Sequence, residues 1–206
     1  MRADATHDEI VALCREAVEY RFASVCVNSC WAPLTAAEVA GTEVKACSVV
    51  GFPLGASATE VKVDEAAYAV RCGAREIDMV INIGALRGDD LATVGRDIAE
   101  VVNVCHRSGA IVKVIIETAL LTDPQKVTAC KLAKQAGADF VKTSTGFSTA
   151  GATVADVKLM REAVGPSMGV KASGGIRTLD DLEAMVAAGA TRIGTSSGVK
   201  LVAAAR

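Results

Sequence analysis

The sequence predicts an α/β chain that folds as a TIM-type (β/α) barrel lacking the first strand of the usual eight. Three observations carry that expectation. The composition is 51% hydrophobic but only 3% aromatic over 206 residues, the aliphatic make-up of parallel strands buried on both faces. A phrase of helix end, glycine-alanine and β-rich run recurs at Gly73-Ala74, Gly109-Ala110, Gly137-Ala138 and Gly189-Ala190, with Gly165 in the same role. Glycine supplies the left-handed residue that ends a helix, and stops spaced about 24–36 residues apart match the length of a βα unit. Lastly, strand-like runs alternate with amphipathic stretches and carry no hairpin signal, which implies an all-parallel sheet.

In chain order, Thr6-x-x-Glu9 is a capping box ahead of an apolar stripe of Ile10, Leu13, Cys14 and Ala17, which predicts a helix over about 6–20. Strands are expected near 24–28, 43–50, 76–82, 111–117, 140–144, 169–173 and 192–196, with a helix after each. Leu91, Val94, Ile98, Val101 and Cys105 form the buried stripe of one such helix. Asp123-Pro124 gives another a cap followed by proline at its first position. Thr178 caps a third, whose inner face is Leu182, Met185 and Val186. Right-handed crossovers leave a barrel or a doubly wound sheet. No Gly-x-Gly-x-x-Gly follows the first strand, which weighs against a dinucleotide fold. Seven strands are one short of a barrel, and the opening helix has no strand ahead of it, so the missing strand belongs before Met1. No linker or low-complexity tract divides the chain, and residues 1–206 are read as one domain.

The bulk numbers exclude several classes. Net charge is −2, and no basic block suggests nucleic acid. No apolar run is long enough for a membrane span, and Met1-Arg2-Ala3-Asp4 does not open a signal peptide, so the expected address is the cytoplasm. Seven cysteines at irregular spacing, with only His7 and His106, form no zinc pattern. Most of the thiols are expected to be small buried apolar groups in a reducing compartment.

Three lysines sit inside strands in one phrase: Val112-Lys113-Val114, Val141-Lys142-Thr143 and Val170-Lys171-Ala172. Helices cover the outer wall of a barrel, so such a lysine must point inward or be buried, and an unpaired buried ammonium costs several kcal/mol. At least two of the three are therefore expected to share a functional pocket. Lys45, at the start of its strand, is the contrasting case and is given no role. Asp78, on the same side of its strand as Glu76 and Val80, is placed to pair with a barrel lysine or to move protons. A free lysine has a pKa of about 10.4 and is not nucleophilic at neutrality. A second ammonium a few ångström away disfavours the charged form, one of the ways an amine is activated against a carbonyl. Lys142 and Lys171 lie on successive strands and suit that arrangement, although spacing alone does not say which becomes covalent.

Two glycine-rich turns follow the last strands, Ser173-Gly174-Gly175-Ile176-Arg177 and Gly194-Thr195-Ser196-Ser197-Gly198. Barrels commonly hold a phosphate with the loops after strands seven and eight and a nearby helix N-terminus. Counting a strand before Met1, these turns fall there, and Thr143-Ser144-Thr145-Gly146 could supply a third wall.

These segments resemble the deoxyribose-phosphate aldolase family. Phe140 to Phe147, which contains Lys142, is similar to the Schiff-base strand of that family, Val170 to Arg177 to its second-lysine strand, and Glu76 to Asn82 to its proton-relay strand. Lys113 to Thr118, Gly194 to Gly198 and Val25-Cys26-Val27-Asn28 also match, so the resemblance runs in order from about 22 to 199. It implies a class I aldolase in a TIM barrel, with no metal and no cofactor, because a protonated imine is itself the electron sink. The implied reaction is reversible cleavage of 2-deoxy-D-ribose 5-phosphate to glyceraldehyde 3-phosphate and acetaldehyde. In the implied site Lys142 forms the Schiff base, the charge of Lys171 helps it lose a proton, and Asp78 moves protons through a bound water. Lys113 sits beside Asp78, and Cys26 lines the aldehyde pocket, where a small apolar filler is an equal reading. Thr145 and Gly146 flank the substrate, and Gly174, Gly175, Gly194, Ser196 and Ser197 bind phosphate. A homo-oligomer is implied. Family members open with a strand carrying Asp-x-Thr, whereas here Met1-Arg2-Ala3 leads directly to the capping segment, so two exposed sheet edges are expected. Two other readings remain open: a phosphosugar-binding barrel with impaired catalysis, and another Schiff-base aldolase such as a transaldolase. The combination of Lys142, Lys171 and Asp78 favours the deoxyribose enzyme.

Overall fold

The structure is a computed structural model that describes residues 1–205. Helix α1 (His7–Glu19) precedes β1 (Ser24–Val27); α2 (Ala32–Glu38) leads to β2 (Lys45–Val50), and α3 (Thr59–Arg71) to β3 (Glu76–Val80). Next come α4 (Ile83–Arg87), α5 (Leu91–His106), β4 (Ile111–Ile115), α6 (Asp123–Gln135) and β5 (Phe140–Lys142). Then α7 (Val154–Val164), β6 (Gly169–Ser173), α8 (Leu179–Ala187), β7 (Arg192–Gly194) and α9 (Gly198–Ala204) complete the described chain. The strands pair in parallel, each with its sequence neighbour, in the order β1 to β7, and among the described residues β7 and β1 do not pair with each other. All seven strands are where the sequence places them, each shorter than or equal to the expected run.

Side chains on a parallel strand alternate between faces, and here the faces differ in chemistry. Ile77, Met79, Val112, Val114, Ile116, Val141, Val170 and Ala172 join α3, α5, α6 and α7 in one continuous aliphatic core outside the sheet. A second cluster, with Ile10, Cys14, Ala17, Val25, Val27 and Val44, packs α1 and α2 against β1 and β2. The opposite face carries Glu76, Asp78 and Lys113, all buried. The sheet therefore curls around a polar interior. At one end of that interior Arg192 of β7 reaches across, its Nη1 donating to Glu76 of β3 at 3.1 Å and to Ser24 of β1 at 3.4 Å. Near the other end, Lys62 of α3 is fully buried, donates to the Val80 carbonyl at 2.9 Å and pairs with Asp97 of α5.

The five glycines expected to end helices all take positive φ, from 69° to 109°. The Thr6–Glu9 capping box and the Thr178 cap form as expected. Other expectations are corrected. The cap of α6 is Thr122, one residue before Asp123, with the Gln125 side chain accepting the Thr122 N–H at 3.0 Å. Leu13, Leu91 and Val186 are exposed, not on buried faces, because each lies at the margin of its apolar stripe while the facing sheet covers only the centre.

Candidate active site

Alternation along β3, β4, β5 and β6 aims Asp78, Lys113, Lys142 and Lys171 at one point. The register sets Asp78 opposite Lys113 and Lys142 opposite Lys171, while Lys113 faces Phe140, so the β5–β6 lysines stand one pleat further along than the β4 lysine. Lysine side chains are long enough to span that offset, and all three nitrogens meet at the Asp78 carboxylate. Lys113 Nζ lies 2.7 Å from Oδ1; Lys142 Nζ and Lys171 Nζ lie 2.8 Å and 2.6 Å from Oδ2. Exposure is 0% for Asp78 and Lys113, 2% for Lys142 and 5% for Lys171, so Lys142 and Lys171 are the two of the four with any exposed surface. Lys45, as expected, is exposed at the start of β2.

The electrostatics follow from burial opposed by pairing. Burial would push the Asp78 carboxyl up, but Lys113, Lys142 and Lys171 outweigh it and hold the group well below the usual carboxylate range. Burial would likewise depress Lys113, yet Asp78, Cys47 and Glu76 hold its ammonium well above the ordinary lysine value. Lys171 is raised against its burial by Asp78. A depressed carboxylate adds stability that is complete above its unfolded pKa and is lost as pH falls through its folded value. A raised lysine adds stability that is complete below its unfolded pKa and is lost as pH rises through its folded value. Both contributions are therefore full between about pH 5 and pH 9. Denaturant midpoints measured against pH should show no loss from the Asp78 carboxylate or from Lys113 and Lys171 inside that window; a loss there that vanishes in Asp78→Asn would contradict the assignment.

Cys26 belongs to the same cluster and is not an apolar filler: its sulfur is half-buried, 3.8 Å from Asp78 Oδ2. A hydrogen bond with Cys47 draws the Cys26 thiol down to about 7 against burial and the Asp78 charge. Cys47, directly opposite Cys26 in register, lies 3.3 Å from Asp78 Oδ1 and 3.6 Å from Lys113 Nζ. Cys26, Cys47 and Asp78 could offer a cation two sulfurs and an oxygen within 4.8 Å of one another. Both oxygens of that carboxylate are already bound by ammonium groups, however, and three positive charges would face any incoming ion.

By sequence Cys47 is one of the thiols expected to be small buried apolar groups; its register opposite Cys26 places it on the inner face instead. The sequence likewise does not mark Glu76 and Arg192 as site residues: Glu76 Oε2 lies 2.7 Å from Lys113 Nζ and 3.1 Å from Arg192 Nη1. Glu117, just beyond β4, is a further omission. It is buried in a left-handed conformation and accepts hydrogen bonds from Thr145.

The glycine-rich segments gather at the mouth. A Cβ on Gly194 would lie 3.0 Å from Lys171 Cε and 2.9 Å from Ser173 Cβ, so only glycine leaves the Lys171 side chain its path. Gly174 (φ 85°) and Gly175 (φ 81°) both need the left-handed region, and Gly174 stands against the Gly151 backbone, whose Cα lies 3.0 Å from a Cβ built on Gly174, with Gly146 Cα next at 3.7 Å. Thr195 Oγ1 donates to the Ile176 carbonyl at 2.8 Å and accepts from Ser197 N–H at 3.0 Å. The two turns are thus tied together, with the exposed Ser196 between them. The Ser197 N–H is already used in that tie, which leaves its hydroxyl for a ligand.

The profile of the DeoC/LacD family aldolases matches residues 1–203. The deoxyribose-phosphate aldolase of Thermococcus gammatolerans is 60% identical over 204 residues, covering 98% of this chain and 91% of that protein. The deoxyribose-phosphate aldolase of Listeria monocytogenes is 58% identical over 202 residues, with 98% and 90% covered. Among solved structures, the tetrameric deoxyribose phosphate aldolase of Aeropyrum pernix superposes with a TM-score of 0.92 at 37% identity, covering 98% of this chain and 86% of that one.

Proposed function

The chain belongs to the DeoC/LacD family of aldolases, and from that premise we propose that it reversibly cleaves 2-deoxy-D-ribose 5-phosphate to glyceraldehyde 3-phosphate and acetaldehyde through a Schiff base on Lys142. The observation that carries the reading is the pair of lysine nitrogens on one carboxylate oxygen, Lys142 at 2.8 Å and Lys171 at 2.6 Å from Asp78 Oδ2.

Lys171 is held as an ammonium by Asp78. The amine of Lys142 attacks the C1 carbonyl of the open-chain sugar. The carbinolamine loses water to a protonated imine, the electron sink for the next step. Removal of the C3 hydroxyl proton breaks the C2–C3 bond, releases glyceraldehyde 3-phosphate and leaves an enamine on Lys142. Protonation at C2 and hydrolysis then release acetaldehyde. Asp78 Oδ2 touches both nitrogens and is the proton path between them, and Lys113 with Glu76 anchors the other oxygen. Val49, opposite Asp78, and Ile115, opposite Lys142, are buried beside the cluster with Val80 and keep the reacting atoms in low-polarity surroundings where these charges act strongly. Backbone N–H groups of the Gly174-Gly175 and Gly194 turns, with the Ser196 and Ser197 hydroxyls, hold the phosphate.

The fold is read as one functional unit that assembles into a homo-oligomer, supported by the tetrameric Aeropyrum relative. Free thiols throughout the chain suit a cytoplasmic, reducing setting. No helix among the described residues is long and apolar enough to cross a membrane. A coupled assay for glyceraldehyde 3-phosphate should give turnover of 2-deoxy-D-ribose 5-phosphate on the order of 1 to 10³ s⁻¹. Stabilisation by the sugar phosphate without released product would favour a binding barrel; turnover confined to ketose phosphates would favour a transaldolase-like enzyme.

A further inference from the structure

Glu117 combines two features that packing alone does not require. It lies two residues past the end of β4 at φ 55°, ψ 68°, a left-handed conformation disfavoured for any residue with a Cβ. Its side chain is 2% exposed, and although Oε2 is engaged, Oε1 is buried with no hydrogen-bond partner among the described residues. Backbone strain and an unsatisfied buried carboxylate oxygen are each unfavourable, and they persist where the surroundings impose them, commonly at functional sites.

The engaged oxygen takes both donors of one residue: Oε2 accepts the Thr145 N–H at 3.1 Å and the Thr145 hydroxyl at 2.5 Å. Thr145 Oγ1 in turn accepts the Phe147 N–H at 3.0 Å. Gly146 is thereby held between two fixed neighbours, with φ 86° and no atom within 4 Å of the position a Cβ would occupy. On either side of Glu117, Ile116 N–H donates to the Lys142 carbonyl and Thr118 N–H to the Thr143 carbonyl, both at 3.0 Å. The end of β4 is therefore clipped to the segment that starts with Lys142, and the carboxylate fixes the Thr145-Gly146 turn of that segment. That turn faces the Gly174 turn with Gly146 Cα 3.7 Å from a Cβ built on Gly174, while Gly151, further along the same segment, packs directly on Gly174 at 3.0 Å.

We propose that Glu117 is a positioning residue for the sugar phosphate. Through Thr145 it sets the gap between the Gly146 and Gly174 turns, and it governs affinity for the phosphorylated substrate, not imine formation. With its hydroxyl and N–H donors both spent on Glu117, Thr145 acts as a strut, and the backbone of Gly146 is what the turn presents to the ligand. The inference rests on the aldolase reading above.

The test compares Glu117→Ala, Glu117→Gln, Thr145→Val and Thr145→Ser with the parent in the full chain. The measurements are kcat and KM for 2-deoxy-D-ribose 5-phosphate, and the rate at which borohydride traps acetaldehyde on Lys142, a reaction in which no phosphate takes part. Glu117→Ala and Thr145→Val should raise KM on the order of tenfold, with kcat and trapping within about threefold of the parent. Glu117→Gln, which keeps an acceptor oxygen, and Thr145→Ser, which keeps the hydroxyl, should retain most of the affinity. An unchanged KM in Glu117→Ala, or trapping that falls in step with kcat/KM, overturns the proposal. Should Glu117→Ala fail to fold, the Thr145→Val and Thr145→Ser pair decides by the same criteria. A parent that neither turns over nor traps acetaldehyde defeats the aldolase reading; in that event the midpoint shift produced by inorganic phosphate is compared, and equal shifts in parent and Thr145→Val defeat the positioning role.

Discussion

Lys142→Ala should lower aldol turnover by on the order of 10⁵-fold or more, because it removes the nitrogen assigned to carry the imine. The fold should survive, since Asp78 keeps Lys171 on Oδ2 and Lys113 on Oδ1, and a cavity bordering the open mouth can fill with water. Treating the parent with acetaldehyde and borohydride should add one ethyl group, mapped by peptide mass to Lys142. The adjacent amine is the critical control. Lys171 is near enough to compete, but Asp78 holds it protonated, so Lys171→Met should keep the adduct on Lys142 while slowing its formation. An adduct on Lys171 in the parent, or turnover surviving in Lys142→Ala, would exchange the roles of the two lysines or end the mechanism.

Asp78→Asn should have the largest combined effect on stability and rate. The carboxylate is fully buried and carries contacts from three ammonium groups. Neutralising it leaves those charges facing an amide whose NH₂ group would point at one of them. Breaking a buried ion pair by removing one partner costs about 3–5 kcal/mol, and loss of the proton path should lower turnover about 10²- to 10⁴-fold. Denaturant titration and steady-state rates measure the two effects separately. Adding Lys113→Met to Asp78→Asn should recover part of the stability and none of the turnover, because one stranded charge is gone while the proton path is still missing. Wild-type stability in Asp78→Asn would mean that the cluster is better hydrated than its burial implies.

The chemistry was legible in the sequence to the extent that it follows a period of two. Val-Lys pairs in three successive strands and the alternation Glu76, Asp78, Val80 mark one face without knowledge of the fold, and Asp78, Lys113, Lys142 and Lys171 do meet on it. What stayed hidden depends on curvature and backbone angle. Arg192 and Glu76 are 116 residues apart and meet only because the sheet curls. The one-pleat offset between Lys113 and Lys142 reflects the stagger of neighbouring strands, which no local pattern encodes. Cys47 looked like any small aliphatic residue until its register opposite Cys26 put it beside Asp78. At Glu117 the decisive fact is a φ angle, and neither glycine nor asparagine stands there to mark it. Leu13 and Val186 were misplaced for a plainer reason: a stripe read on a helical wheel has no edges until the neighbouring layer defines them.

Four basic side chains, Lys113, Lys142, Lys171 and Arg192, share the barrel interior with the carboxylates of Asp78 and Glu76, in a chain whose net charge is −2. The positive potential is therefore local, and a cleft with low-dielectric walls focuses it outward through the mouth. A doubly charged sugar phosphate approaches down that gradient and departs against it, whereas acetaldehyde, being neutral, crosses it freely. On the proposed reaction the two cleavage products leave under unequal forces.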